Sequence, residues 1–400
     1  MNKYNKLKKL DEILFNNYYI IIFVVYFCSV FNSTIRPGVI AAIIMFIFIV
    51  NIFPIKINTA NLMVIMYFLY SILNLIPYIF TGYDIEIFIT KFSNSILPVI
   101  FYFLGEKYVN SKYKLYNRLL IAFLFCFIIG LYWYFKLPEY YIRYLDKTIA
   151  GFHIISYLND RRFSSFLGSI GIGSISTISI IISLALFHQK LKYRYILLFL
   201  ISIFVSIMSM QRASYLLTIF SIISLELVYR KYKNNKYILI IIVLIIFIMT
   251  IFIITNENIA IDIIQIRKRF DNIGFNAISE RIYQWKKINE IGISLIWGKG
   301  IGSMSYNARK YTNLIINDGA FFNIIGEIGI FGFIIFIIAI SLSLYQKNFK
   351  YSKIVMIEYT TIIVLLLSSV GSNTILYQEI APIFWMFLGR INSLKKLYNN

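Results

Sequence analysis

The sequence predicts an all-α, polytopic integral membrane protein, on three observations. Hydrophobic residues make up 59% of 400 positions and charged residues 14%, with a mean hydropathy of +0.74. That is more apolar surface than a water-soluble globule buries. The apolar residues are gathered into long runs of roughly the 17 to 25 residues that cross a bilayer. Among the short loops, Lys and Arg collect in alternate ones, as positive residues do on the cytoplasmic side.

Taken in order, the runs are 15–32, 38–54, 61–80, 92–108, 118–136, 164–187, 195–210, 213–229, 237–256, 319–344, 353–373 and 374–389. They give about twelve transmembrane helices, allowing for tilt. Lys3, Lys6, Lys8 and Lys9 precede the first. Lys107, Lys112, Lys114 and Arg118, then Lys190, Lys192 and Arg194, then Arg230, Lys231, Lys233 and Lys236, then Lys347, Lys350 and Lys353 fill the even-numbered loops. Arg390, Lys395 and Lys396 follow the last run, whereas the short odd-numbered turns carry only Arg36, Lys91 and Arg212. Positive residues mark the cytoplasmic side, so both termini are expected there. Two long loops, 137–163 and 257–318, then lie outside a single polytopic membrane domain. The first run lacks a small-residue cleavage site and is followed by further spans, so it is expected to be retained.

The net charge of +21 does not point to nucleic acid. Its cations are spread over membrane-flanking loops, where anionic lipid headgroups are the natural partner. Cys28 and Cys126 both fall within predicted spans, which leaves no disulfide framework or Cys-rich metal site. The cytoplasmic loops are short, basic and without a Gly-rich phosphate cradle, so no nucleotide-driven chemistry is expected there. The chemistry is expected on the external face, without a cofactor or metal.

Within 257–318, Ile278, Ile282, Trp285, Ile288 and Ile291 recur with the period of an amphipathic helix near 277–291, and Gly292 is its expected stop. Arg281, four residues before Trp285, shares that face and is expected beside the headgroups. Trp-Gly-Lys-Gly-Ile-Gly-Ser (297–303) follows, and Gly300 and Gly302 make it a turn able to approach a substrate closely.

Arg162, Arg212 and Arg281 come from three external segments. Brought together, they form a phosphate clamp, because each planar guanidinium donates two parallel hydrogen bonds and stays charged. Arg212 is the most informative of them, confined with Gln211 to a two-residue break between apolar runs. Arg161, Arg267, Lys268 and Arg269 read as surface cations near headgroups. Asp318 stands before Gly319 at the external start of a span, as a base for a sugar hydroxyl or as a plain helix cap. Glu327 lies nine residues further, roughly 13 Å deeper at about 1.5 Å per residue, on one face with Asn323. A buried carboxylate there must be neutral or paired. Asp84 and Glu86 read as a solvated turn rather than a metal pair, with no His or third acid nearby. His153 reads as a hydrogen-bonded structural residue. Ser169, Gly173 and Thr177, every four residues, read as a close helix contact.

Three segments in order, Ser-Glu-Arg-Ile-Tyr-Gln-Trp (279–285), Trp-Gly-Lys-Gly-Ile-Gly-Ser (297–303) and Asn-Asp-Gly-Ala-Phe-Phe-Asn-Ile-Ile-Gly-Glu-Ile-Gly-Ile-Phe-Gly (317–332), resemble the O-antigen polymerase and ligase superfamily. Met-Gln-Arg-Ala-Ser (210–214) resembles that family's short Arg-bearing turn, and Arg-Phe-Ser-Ser-Phe (162–166) its Arg before the next span. The likeness is local, and the other spans match only in number and hydrophobicity. Family ligases usually carry a His at the place of Asp318, so the resemblance implies a repeat-unit polymerase rather than a ligase. It implies undecaprenyl-pyrophosphate-linked glycans as substrates, the bacterial cytoplasmic membrane as the location, and a flippase and chain-length regulator as partners. Arg212 and Arg281 are then expected to stabilise the leaving pyrophosphate with help from Arg162. Asp318 handles the acceptor hydroxyl, and Gly300, Gly302, Asn323 and Glu327 contact substrate. The rivals are an O-antigen ligase and a non-enzymatic lipid-linked oligosaccharide flippase.

Overall fold

A computed structural model describes residues 2–32, 35, 37–52, 57–109, 112–148, 163–209, 211–230, 275–291, 294–316, 318–345 and 355–399. Among them every regular element is helical. Six helical stretches are long and apolar enough to cross a membrane: Glu12–Phe31, Thr59–Phe80, Ile85–Lys107, Tyr113–Lys136, Ser165–Lys190 and Ala320–Leu344. Four shorter apolar helices, Pro37–Ile49, Tyr193–Met208, Ala213–Leu227 and Met356–Gly371, coincide with further predicted runs. The protein is an all-α membrane protein. The run 237–256 lies outside the described residues.

The chain divides into two compact units. The first comprises 1–25, 35–118 and 280–400, and the second 26–34 and 119–279. The first unit holds most of α1 (Asn2–Phe31), then α2 (Pro37–Ile52), α3 (Thr59–Leu73), α4 (Ile76–Thr81), α5 (Ile85–Ser95) and α6 (Ile100–Lys107). The span Ile85–Lys107 is interrupted by a buried 3-10 turn, Leu97–Val99, because Pro98 has no N–H to continue the ladder. Asp84 caps α5 by accepting from Glu86 N at 2.9 Å, which gives the Asp-x-Glu pair a structural role. The remainder of the unit's described helices are α12 (Phe275–Lys286, from residue 280), α13 (Ser294–Trp297), α14 (Ala320–Leu344), α15 (Val355–Gly371) and α16 (Ala381–Asn399).

α16 packs along α6 at a reciprocal glycine contact. A Cβ on Gly105 would strike Met386 O, and one on Gly389 would strike Tyr102 O. Bare backbones therefore meet, the usual way helices approach closely in a membrane. The last helix also starts later and runs further than the run 374–389. Arg390 is wholly buried within it rather than placed after it, and Nε donates to Glu358 Oε1 of α15 at 2.9 Å. The expected orientation still has Lys395 and Lys396 to rest on. A second buried network joins Asn61, Tyr102, Glu106, Ser343 and Asn392. Asn392 Nδ2 donates to Asn61 Oδ1 at 2.9 Å and to Glu106 Oε1 at 2.7 Å, and Asn61 Nδ2 donates to Glu106 Oε2 at 2.8 Å.

The second unit contains α7 (Lys112–Lys136) from residue 119, α8 (Glu139–Thr148), α9 (Gly168–Lys190), α10 (Tyr193–Met208) and α11 (Arg212–Arg230). α9 mixes apolar residues with small hydroxyl residues on all its faces and is almost entirely buried, the position of a bundle's central helix. Gly173 lets it approach the next helices: a Cβ there would lie 2.7 Å from Ser214 Oγ and 3.0 Å from Ser209 Oγ. This is the close packing expected of the Ser169, Gly173, Thr177 repeat, and Ser202 Oγ donates to Ser179 Oγ at 2.8 Å beside it. Loop 137–163 is in part helical, since α8 docks Tyr141 on Trp133 with ring centroids 4.4 Å apart. His153 and Arg161 lie outside the described residues, as do Arg267, Lys268 and Arg269.

α14 is kinked at Gly329, whose φ of 82° and ψ of 173° belong to a region only glycine enters readily. The kink takes the carbonyls of Gly326 and Glu327 out of the helical ladder. Lys299 N and Gly300 N bond to them instead, at 3.0 and 2.9 Å. A Cβ on Gly329 would also lie 2.5 Å from Trp297 C and 2.6 Å from Gly298 N. Gly329→Ala is therefore expected to cost about 1 to 3 kcal/mol from conformation alone, with the clash added. Gly82→Ala, at φ 67° with open space around it, should lose no more than about 1 to 2 kcal/mol. Denaturation midpoints of the two purified variants in detergent check the ranking.

Candidate functional site

The site forms where α12 meets the start of α14. The apolar face read from the sequence is not laid on lipid along its length. Ile288 and Ile291 are buried with Met304 and Ile316, and Trp285, Phe322 and Ile325 pack against them. Helix α12 ends at Lys286 and a 3-10 turn continues to Ile291, one residue before Gly292. Trp285 stacks on Phe322 with centroids 4.4 Å apart and planes 12° from parallel, and its indole N–H donates to Asp318 O at 3.0 Å. Docking this face carries Arg281, one turn earlier, to Asp318. Nε donates to Oδ2 at 3.2 Å with the side chains 42% and 36% exposed.

Asp318 is not the helix cap. The N-cap of α14 is Gly319, at φ 98°, and no side chain caps the helix. Glycine is required there, since a Cβ would sit 2.8 Å from Trp285 Nε1. Ala320 N donates to Ser372 O at 3.1 Å, so the connection between α15 and α16 lies at the same end of the unit. Arg281 Nη1 would be 3.6 Å from a Cβ on Gly371. The guanidinium thus sits between the start of α14 and the end of α15, with Nε engaged and no hydrogen-bond acceptor at either Nη group among the described residues.

Gly300, Gly302, Asn323 and Glu327 form a buried knot one step further in. The close approach that the glycines permit is to the chain itself: Gly300 lies against the Tyr78 ring and Asn74 O, and Gly302 against Ile87 and Lys91. Tyr78 OH donates to Ile301 O at 2.5 Å. The backbone N–H groups of Gly302 and Met304 face the Glu327 carboxyl, with Lys91 the cation that acts on it. Asn323 Nδ2 donates to Ile316 O at 3.1 Å. Asn323 is 1% and Glu327 3% exposed, and Asn323 Oδ1, Glu327 Oε1 and Ser303 Oγ have no hydrogen-bond partner among the described residues.

Arg212 belongs to the second unit. It opens α11 after a short turn from α10, as the two-residue break predicts. Arg162 lies outside the described residues. Its neighbour Phe163 donates its N–H to Met208 O at 2.9 Å, tying that segment to the turn before Arg212.

Sequence reading missed the connection 372–380. Tyr377 lies within electrostatic reach of both Glu379 and Asp318. Burial first, and then these two carboxylates, push its hydroxyl well above the usual phenol range. Burial also pushes the Glu379 carboxyl up to about 7, against the opposing effect of its own backbone N–H. The missed signal was a carboxylate at position 379 inside an apolar run, where ionisable groups are rare without a task. Comparison with protein-family models, curated proteins and solved structures finds no match for this chain.

Proposed function

We propose that the protein polymerises undecaprenyl-pyrophosphate-linked oligosaccharide repeat units on the external face of the bacterial cytoplasmic membrane. In this reading about twelve spans and cytoplasmic termini place Arg281, Asp318 and the 372–380 connection outside. The observation that carries it is the Arg281 guanidinium. It is held by Asp318 through Nε, half-exposed, with no acceptor at either Nη amino group among the described residues. That is the donor pair a pyrophosphate oxygen needs as charge develops on it. The acceptor hydroxyl attacks the anomeric carbon of the growing chain as its bond to the lipid pyrophosphate breaks.

A second reading, lipid-linked oligosaccharide transport, requires ionisable groups near the midplane; the buried Glu358–Arg390 pair and the half-buried Glu106 lie instead at helix ends on the side read as cytoplasmic. A strain deleted for the gene separates the readings when its surface glycan is resolved by length. Single repeats on the surface, returned to a ladder by the wild-type gene, support polymerisation. Lipid-linked repeats trapped on the cytoplasmic side support transport, and a full ladder left on its carrier lipid supports ligation.

A further inference from the structure

Nearly every described glycine has a local reason to be glycine. Some hold a positive φ, as Gly319 and Gly329 do, and others admit a neighbour so close that a Cβ would clash, as Gly105 and Gly389 do. Gly371, the last residue of α15, does neither. Its φ is not positive, and Ser372 N donates to Ser368 O at 3.0 Å, so it sits in ordinary helical backbone rather than in the left-handed cap that glycine commonly supplies. A Cβ there would meet Arg281 alone, 3.6 Å from Nη1 and 4.0 Å from Cζ, both ordinary contacts. Among the described glycines only Gly38 is as free of conformational and packing demands, and a Cβ on it would face the uncharged amides of Asn94 and Gln378. Glycine weakens a helix relative to alanine. At 371 it gains no turn and no close packing in exchange. It leaves room in front of a guanidinium.

That room has fixed walls. Asp318 Oδ2 holds Arg281 Nε at 3.2 Å and so sets the plane of the fork. The end of α15 is pinned to the start of α14 by Ala320 N, which donates to Ser372 O at 3.1 Å. Ser372 Oγ donates back to Ser368 O at 2.8 Å, and Ser368 Oγ lies 2.7 Å from Thr374 Oγ1, with all three hydroxyl residues buried. Gly371 is half-buried and the Arg281 side chain 42% exposed, so a group from outside can reach the space between them.

We propose that the space between Gly371 and Arg281 seats a phosphate group bound through Nη1, and that Gly371 is a specificity-determining residue because a side chain there fills the seat. The identity of that phosphate as the lipid pyrophosphate rests on the polymerisation proposed above; the phosphate of a membrane-lipid headgroup has the same chemistry.

The test uses full-length protein with two readouts: calorimetric binding of inorganic pyrophosphate in detergent, and ladder growth from lipid-linked repeats in phosphatidylcholine vesicles. Gly371→Ala should unfold at a higher midpoint than wild type, since a methyl is added at an ordinary φ, and should lose only a few-fold in rate. Gly371→Leu should bind pyrophosphate more weakly and lose about 10²- to 10³-fold in rate, the usual result of losing one such donor. Gly371→Asp, smaller than Leu, should lose as much because its carboxylate takes Nη1, which keeps the test independent of whether the Leu variant folds. The double variant with Arg281→Ala should be no slower than the slower single variant, because both changes empty one seat. Gly371→Asp within a few-fold of wild type, or losses that multiply in the double variant, overturns the proposal. Phosphatidylglycerol added to the vesicles separates the two sources. An unchanged wild-type rate assigns the seat to the substrate, and inhibition gives it to headgroups and overturns the specificity role. A wild-type protein that binds pyrophosphate through Arg281 yet builds no ladder overturns polymerisation and leaves the seat standing.

Discussion

Arg390→Ala is expected to lower the unfolding free energy by about 3 to 5 kcal/mol, the usual result of stranding one member of a fully buried ion pair. Arg390 and Glu358 are both 0% exposed. Glu358 Oε1 accepts from Arg390 Nε and from the Tyr116 hydroxyl, and Arg390 Nη1 donates to Tyr108 O at 3.1 Å. Arginine does not shed its proton, so removing it leaves a carboxylate in the apolar interior with only a phenol beside it. Glu358→Ala should be as damaging, because it leaves the guanidinium unpaired. Replacing Tyr116 by Phe, Glu358 by Leu and Arg390 by Met together should be far milder than either single change, because the polar group and its partners then leave at once. Chemical denaturation of the four proteins in detergent measures this. A single variant as stable as wild type would mean that water reaches the pair.

The helical class was legible because hydropathy is a property of each segment by itself. The predicted runs reappear as apolar helices wherever they fall on described residues, except at the C-terminus. There the expected run 374–389 stopped at Arg390, and a charge inside a helix looked like a charge after one. What hydropathy lacks is partners. Glu358 and Arg390 are 32 residues apart and Asn61 and Asn392 are 331. Arg390 read as a cation after the last run, and Glu358, Asn61 and Asn392 drew no reading, although an ionisable group such as Glu358 inside an apolar run already calls for a partner. Around the site, periodicity placed Arg281 and Trp285 on one face, whereas the approach of Gly298 to Gly329 came only with the kinked helix. The sequence could not show that this face docks on Phe322, and so joins Arg281 to Asp318. Asp318 therefore looked like a base or a cap, and Glu379, within an apolar stretch, looked like part of a span.

Arg281→Ala is expected to slow ladder growth in vesicles by about 10²- to 10³-fold, the typical loss when one preorganised donor to a developing anion is removed. Folding is not a competing explanation. The Arg281–Asp318 pair is more than a third exposed on both sides, and pairs of that kind contribute about 0 to 1 kcal/mol. The variant should therefore reach the membrane at the wild-type level and unfold at nearly the wild-type midpoint. Arg281→Lys separates charge from shape. A lysine keeps the cation but has a single ammonium, so it cannot hold Asp318 with one nitrogen and offer a planar pair to phosphate with two others. It should recover a minor part of the rate. Asp318→Asn should fall between them, since an amide oxygen still accepts from Nε but without the charge that fixes the fork. An Arg281→Ala protein within a few-fold of wild type at equal membrane level would remove this guanidinium from the reaction, leaving the leaving group to other cations.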